Sequence, residues 1–509
     1  MNRTQRMTLV ATGLGLFMLF LDAMVVNVAL PDIQESLGGG ESDLQWIVAM
    51  YSLAMAVCIM SFATLADRIG RRRVYLAALL VFIGASVACG LSTSTEMMTI
   101  ARGIQGAAAS ACNVASLALV SAAFPDPQQK SRAIGTWTAI ATLGIALGPT
   151  VGGVLTETLG WRSIFLVNVP VGLLAAYLTT RYVEESSDPG DRTFDGVGQV
   201  LFFVGVGALS YGLIEAPHDG WLDPFILGTF AVAILALVGL VVQELRHHDP
   251  MMDVRLFLER GYLAAILVVF TALFGAYGML LVVPQQLQNV FDYSALRAGA
   301  VMLAFSGAAP IVCIVEGRWA ERKGPRSPAL VGIMLVTIGL VGVALLLPQG
   351  GLGAVPGLLA IGVGLGLCIP AATAVAMNAV AEDRAGMASG MLSAQRGLGS
   401  TMGFAIMGTI LAAWLAASLP TALDDIPPPE RDRVVDAISD SANPRAYVGG
   451  MAPRRPFSPS ETRTREEIVS AADDEFARGV QLALLSGAAA ALLAGLYAWR
   501  NLGRHRAPI

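Results

Sequence analysis

Apolar segments of about 20 residues, each long enough to cross roughly 30 Å of hydrocarbon as a helix rising 1.5 Å per residue, recur along this chain from end to end. Fourteen can be marked off, the first over residues 8–29 and the last over 477–500. Backbone inside a bilayer must satisfy its own hydrogen bonds, so segments of this kind fold as helices packed side by side. Composition agrees: 14% charged residues against 55% hydrophobic ones leave too little polar surface for a soluble globule of 509 residues. The expected fold class is therefore all-α and integral to a membrane. The first segment follows Arg3 and Arg6 as a leader would, but it is too long for an h-region, carries Asp22 and has no small-residue cleavage site before Pro31. It is read as a retained span.

Arginine and lysine in short loops stay on the cytoplasmic side. Both termini and the loops after even-numbered spans hold most of the basic residues, whereas the short loops on the other side carry only Arg162 and Arg297. Both termini are expected in the cytoplasm and the segment at about 420–477 outside, with a short helix over 429–439. The net charge of -5 offers no basic face for nucleic acid. Cys58, Cys89, Cys112, Cys313 and Cys368 all fall in apolar runs and behave as small hydrophobes, so no disulfide framework is expected. The four histidines make no metal-binding spacing and neither lysine lies in a GxxxxGK[ST] loop. No enzyme activity, metal or cofactor is expected, and any pumping must draw on an ion gradient. A polytopic membrane enzyme would need His and Asp clustered at one membrane face.

A charged loop breaks the apolar pattern at 63–75, ATLADRIGRRRVY, and a second copy stands at 317–326, GRWAERKGPR. The small residue, Ala, acid, Arg and Gly fall at the same spacings. Two copies eight spans apart point to two parallel six-helix halves with two helices inserted between them. The expected organisation is an N-terminal bundle over 1–190, an inserted pair over 191–255 and a C-terminal bundle over 256–509.

Beyond the loop, the chain carries LDAMVVNVALP at 21–31, RGIQG at 102–106, GIALGPTVGG at 144–153 and WRSIFLVNVP at 161–170. With these motifs in this order it resembles the major facilitator superfamily, in its fourteen-helix drug:proton antiporter branch. Within that branch DSANPRAYVGGMAPRR at 440–455 and AEDRAGMASGMLSAQRGLGS at 381–400 resemble actinobacterial exporters associated with tetracycline and spectinomycin resistance. The resemblance implies the major facilitator fold in a bacterial cytoplasmic membrane, working as a monomer and exchanging protons for small amphipathic drugs or antibiotics. Export of an endogenous lipid, siderophore or antibiotic would use the same scaffold. The family's loop motif opens with Gly where this chain has Ala63, which loosens packing on a neighbouring helix.

Each motif has a physical reading. Asp67, Arg68, Gly70, Arg71 and Arg72, with Glu321 and Arg322 in the second copy, form a candidate cytoplasmic gate: the acid pairs across the halves when that side closes, and Gly70 permits the turn. A plain topology signal would need only the arginines. Gly144, Gly148 and Gly152 fall on one helical face beside Pro149 and Gly153, a flat strip for close backbone approach. In the resembling branch this strip is the signature that seals the halves against proton leak. Asp22 and Arg102 lie at the same depth inside the membrane, where a lone charge is unfavourable by roughly 2.5–3.5 kcal/mol, so they are expected to pair, Asp22 carrying the proton and Arg102 tuning and resetting it. A static ion pair is the plainer alternative. Arg396 is a candidate second polar anchor. The first and fourth helices of each half are expected to line the cavity, with Met24, Asn27, Gln105, Asn113, Phe274 and Tyr277 as its walls, or as ordinary helix packing.

Overall fold

The computed structural model describes residue 1 and residues 3–187, 195–246, 254–378, 385–423 and 459–502. Among the described residues there is no strand. The first half holds α1 (Arg3–Leu37), α2 (Glu41–Ile69), α3 (Arg71–Gly90), α4 (Thr95–Ala123), α5 (Pro127–Leu159) and α6 (Asn168–Tyr182). Two further helices follow, α7 (Gly196–Asp219) and α8 (Pro224–Arg246). The second half holds α9 (Arg260–Gln285), α10 (Ala295–Lys323), α11 (Arg326–Leu346), α12 (Val355–Asn378), α13 (Ala385–Ala422) and α14 (Pro459–Asn501). Among the described residues, 13 helices are long and apolar enough to cross a membrane. α5 stands where the fifth span was expected, and among the described residues its apolar stretch covers Leu143–Leu159. The fourteen helices alternate in direction, so the start of α1 and the end of α14 lie on one face of the bundle, here called the terminal face; the opposite one is the distal face.

Local chemistry sets the helix ends. Asp126, Ser94 and Ser294 accept from the backbone N–H groups of Gln129, Met97 and Arg297, capping α5, α4 and α10. The two charged loops end α2 and α10 in the same way. Gly70 (φ 112°) and Gly324 (φ 76°) adopt the left-handed conformation and donate to the carbonyls of Ala66 and Ala320. The expected span at 162–183 is present as Ser163–Tyr182, with a local break at Val167 between a first turn, Ser163–Leu166, and α6, because Pro170 has no N–H to offer the carbonyl of Leu166. At the other end of the chain α14 begins well before the expected 477. Pro459 suits a first helical turn, and the Ala- and Glu-rich stretch after it favours helix beyond the apolar span. The expected short helix at 429–439 lies outside the described residues.

Helix packing repeats between the halves. In the first, α1 packs on α5 and α6, α4 on α2 and α3, and α3 on α6; in the second, α9 packs on α13 and α14, α12 on α10 and α11, and α11 on α14. The halves meet along two seams, α5 against α10 and α2 against α13. α7 and α8 pair with each other, and α7 touches α2 and α13, covering that seam from outside. This is two six-helix bundles with two inserted helices.

The glycine motif of α5 serves two neighbours. A Cβ on Gly144, Gly148 or Gly152 would lie within 2.2–2.8 Å of Phe17, Met24 or Val25, so this strip seats α5 on α1 in its own half. One residue round the helix, Gly153 and Pro149 face the other half. A Cβ on Gly153 would meet the Ala295 carbonyl at 2.6 Å, and one on Gly299 the Pro149 carbonyl at 2.3 Å. On the second seam Gly408 of α13 lies under the Gln45 side chain of α2. These three approaches, and the bond from Gln288 Nε2 to the Val28 carbonyl (3.0 Å), all lie toward the distal face.

A candidate coupling site

Five helices of the first half converge on one buried carboxylate. Asp22 of α1 and Arg102 of α4 are 0% and 1% exposed, and Arg102 Nη1 donates to Asp22 Oδ2 at 2.6 Å. The other oxygen accepts two bonds. Gln105 Nε2 approaches Oδ1 at 2.9 Å and Asn168 Nδ2 at 2.6 Å. The same two amides reach Ser86 Oγ of α3 at 2.8 and 3.3 Å. Arg102 also donates from Nη1 to Gln105 Oε1 (2.8 Å) and from Nε to the Ile47 carbonyl of α2 (3.2 Å). Its guanidinium carbon lies 4.2 Å from the ring centroid of Tyr51, whose hydroxyl donates to the Leu19 carbonyl.

Burial of a charge is tolerated when it is paired and hydrogen-bonded, and here both conditions hold. The arrangement also constrains what the site can do. Protonation turns one carboxylate oxygen from an acceptor into a donor, yet all three groups facing Asp22 approach it as donors. A proton can settle there only if the cage rearranges. Loss of the negative charge also leaves the Arg102 cation on a carbonyl, an amide oxygen and a ring face, so its position changes too.

Arg71, Arg72 and Arg73 hold partners of their own half. Arg71 pairs with Asp67 at 2.7 Å, one turn apart. The segment after α6 wraps the start of α3: Arg71 N–H donates to the Ser186 carbonyl, Arg72 N–H to Glu185 Oε1 and Arg72 Nη2 to the Thr180 carbonyl (2.7 Å). Glu185 stands so close to Gly70 that an added Cβ would meet its carboxyl carbon at 2.8 Å. Arg322 is exposed at the end of α10, and the Glu321 side chain lies outside the described residues. Arg396 Nη2 donates to Thr373 Oγ1 at 2.8 Å.

The residues expected along a cavity are scattered. Met24 is buried against Gly148. Gln105 is fully buried and its amide is spent on Asp22, Arg102 and Ser86, so it belongs to the cage. Asn27 is buried and donates to the carbonyls of Ala23 and Met24 within its own helix. Asn113 is half-buried. Phe274 stacks on Phe270 and packs with Leu53, Phe202 and Met402 where α7 covers the α2–α13 seam. Tyr277 is half-buried with its ring edge-to-face on Phe404, 5.5 Å between centroids.

Sequence reasoning missed Asn168, Ser86 and Tyr51. The signal for Asn168 was present: an amide two residues before a proline, inside the apolar run IFLVNVP.

Comparison with known proteins adds to this geometry. Residues 12–404 match the Major Facilitator Superfamily. The chain is 48% identical over 502 residues to a Mycobacterium tuberculosis protein named multidrug resistance protein Stp, covering 98% of this chain and 92% of that one. It is 42% identical over 500 residues to the drug efflux pump JefA of the same species, covering 98% and 97%. Among solved structures it is similar to a bacterial homologue of the human lysosomal transporter Spinster in an inward-facing, unoccupied conformation. There the TM-score is 0.67 at 16% identity, covering 99% of this chain and 100% of the other, a likeness of fold.

Proposed function

The chain belongs to the major facilitator superfamily, and we propose that within it the protein exports small amphipathic drugs or antibiotics in exchange for protons. The single observation that carries the coupling is the Asp22 cage: an acid buried in the membrane whose three partners all donate to it and must move when it takes a proton. Asp22 carries the proton, and Arg102 reforms the ion pair once the proton leaves. Relatives named for multidrug resistance and drug efflux support the export of drugs.

The bundles run over 1–190 and 256–509, joined by the inserted pair over 191–255. Rocking of one bundle on the other exposes the cavity between them alternately to the two sides. The arginine pattern puts the terminal face in the cytoplasm of a bacterium, with the protein a monomer in the cytoplasmic membrane. The close approaches at the distal face support an arrangement shut to the outside. In that arrangement Asp67 holds Arg71 of its own half, and the gate residues Arg68, Gly70, Arg72, Glu321 and Arg322 latch the halves when the cytoplasmic side closes. Gly144, Gly148 and Gly152 fix α5 to α1, so movement of the helix bearing Asp22 reaches the seam formed by Pro149 and Gly153. A proton gradient near 150 mV supplies roughly 3.5 kcal/mol, a few hundred-fold in concentration per proton.

Everted vesicles test this. Acidifying the lumen should drive tetracycline uptake by the wild-type protein and not by Asp22→Asn at equal abundance. Uptake by Asp22→Asn at the wild-type rate would refute Asp22 as the proton carrier.

A further inference from the structure

On a different face of α2 from Tyr51, a crevice of about 290 Å³ opens between α2 and the inserted helices, near the distal face. Trp46 and Met50 of α2, Gly207 and Tyr211 of α7, and Phe225 and Thr229 of α8 line it. Its walls are apolar, and Phe225 and Phe203 on its rim are exposed where the fold faces lipid. A Cβ on Gly207 would meet nothing within 4 Å, so the space continues to the backbone of α7.

One end of the crevice has a different chemistry. The rings of Trp46, Tyr211 and Phe225 stand in series, 5.9 and 5.8 Å between centroids. One turn beyond Tyr211, Glu215 accepts a hydrogen bond from Trp46 Nε1 at 2.7 Å, and Asp219 lies exposed a turn further on. Ring faces carry negative potential and attract a cation, the more so where water is excluded. A lipid tail would use the apolar walls alone and make no use of the ring faces beside a carboxylate, and an anionic amphiphile would be repelled by Glu215 and Asp219.

We propose that this crevice is a bilayer-facing binding site for a singly charged amphipathic organic cation, its apolar body beside Gly207 and its charge against the Trp46 and Tyr211 rings and Glu215. The site is built by α7 and α8 and does not rest on proton coupling through Asp22. Binding at it is read without transport.

The test uses the full-length protein in phosphatidylglycerol nanodiscs and two probes of equal shape and opposite charge, radiolabelled tetraphenylphosphonium and tetraphenylborate. Saturable binding of the phosphonium and not the borate is expected. Loss of a charge-assisted contact should weaken it about tenfold in Glu215→Gln. Gly207→Leu, which fills open space, should weaken it at least as much, and Phe225→Leu, at an exposed position that folding tolerates, should weaken it measurably. Equal binding of the borate, or an unchanged affinity in Glu215→Gln beside a loss in Gly207→Leu, would overturn the proposal in favour of an apolar lipid groove. Unchanged affinity in Glu215→Gln, Gly207→Leu and Phe225→Leu would also overturn it, placing the phosphonium elsewhere.

Discussion

Gly299→Ala probes the α5–α10 seam directly. The added methyl carbon would lie 2.3 Å from the Pro149 carbonyl oxygen and 3.1 Å from its carbon. Both are backbone atoms of the other half, so no side chain can turn aside and the helices must separate by about an ångström. Overpacking of this kind costs about 1–3 kcal/mol. Because only the distally closed arrangement incurs the cost, the ratio of open to closed molecules should rise about fivefold to 150-fold. A reporter is available in Gln45, which is 1% exposed beneath the same face and covers Gly408. With the five native cysteines replaced, Gln45→Cys should react with a membrane-impermeant maleimide slowly in the parent and faster by that ratio with Gly299→Ala. Gly148→Ala is the control. Its methyl would meet Met24 Cβ at 2.2 Å inside the first half, so it should lower thermal stability without speeding the labelling. Labelling unchanged by Gly299→Ala, or raised equally by Gly148→Ala, would refute the assignment of the two glycine faces.

Three further outcomes follow from the described contacts. Arg102→Leu leaves the Asp22 carboxylate buried without its cation and should cost about 3–5 kcal/mol; melting in detergent should fall sharply, and the double change Asp22→Leu with Arg102→Leu should recover much of it without recovering transport. Gly70→Ala forces a methyl into a left-handed residue at φ 112° against the Glu185 carboxylate, a loss of about 1–3 kcal/mol that scanning fluorimetry would detect as a lower melting temperature. Phe274→Ala empties a packed cluster and should destabilise by about 3–5 kcal/mol, whereas Tyr277→Ala, half-buried, should change the resistance spectrum at normal abundance; a spectrum unchanged by Tyr277→Ala would place the substrate elsewhere.

Much of the fold was legible because a bilayer allows few solutions: each long apolar run had to be a helix, and the repeated acid, Arg and Gly spacing gave the two halves. The pairing of Asp22 with Arg102 was legible from depth alone, since each charge needs a partner at its own level. The rest of the cage was not. Ser86 donates to the Phe82 carbonyl one turn back, as Thr12 and Thr179 do to the carbonyls of Thr8 and Ala175, and in sequence all three look self-satisfied. Only tertiary contact shows that Ser86 also receives two amides. Asn168 depends on the break before Pro170, a local event that hydropathy does not register. The glycine motif told of close approach and was silent on the neighbour: four-residue spacing names a face of α5, and the chain's path decides that α1 lies on it.

The inserted helices give the two seams different surroundings. α7 lies over α2 and α13, so that joint works against protein, while among the described residues no helix covers the joint of α5 with α10. Lipid is the counterpart there. Lateral pressure and acyl-chain length therefore act on one flank of the rocking motion and are buffered on the other. If the protein works by the exchange proposed above, a change of host membrane should alter its turnover through the Pro149–Gly299 side, with substrate and ion gradient held constant.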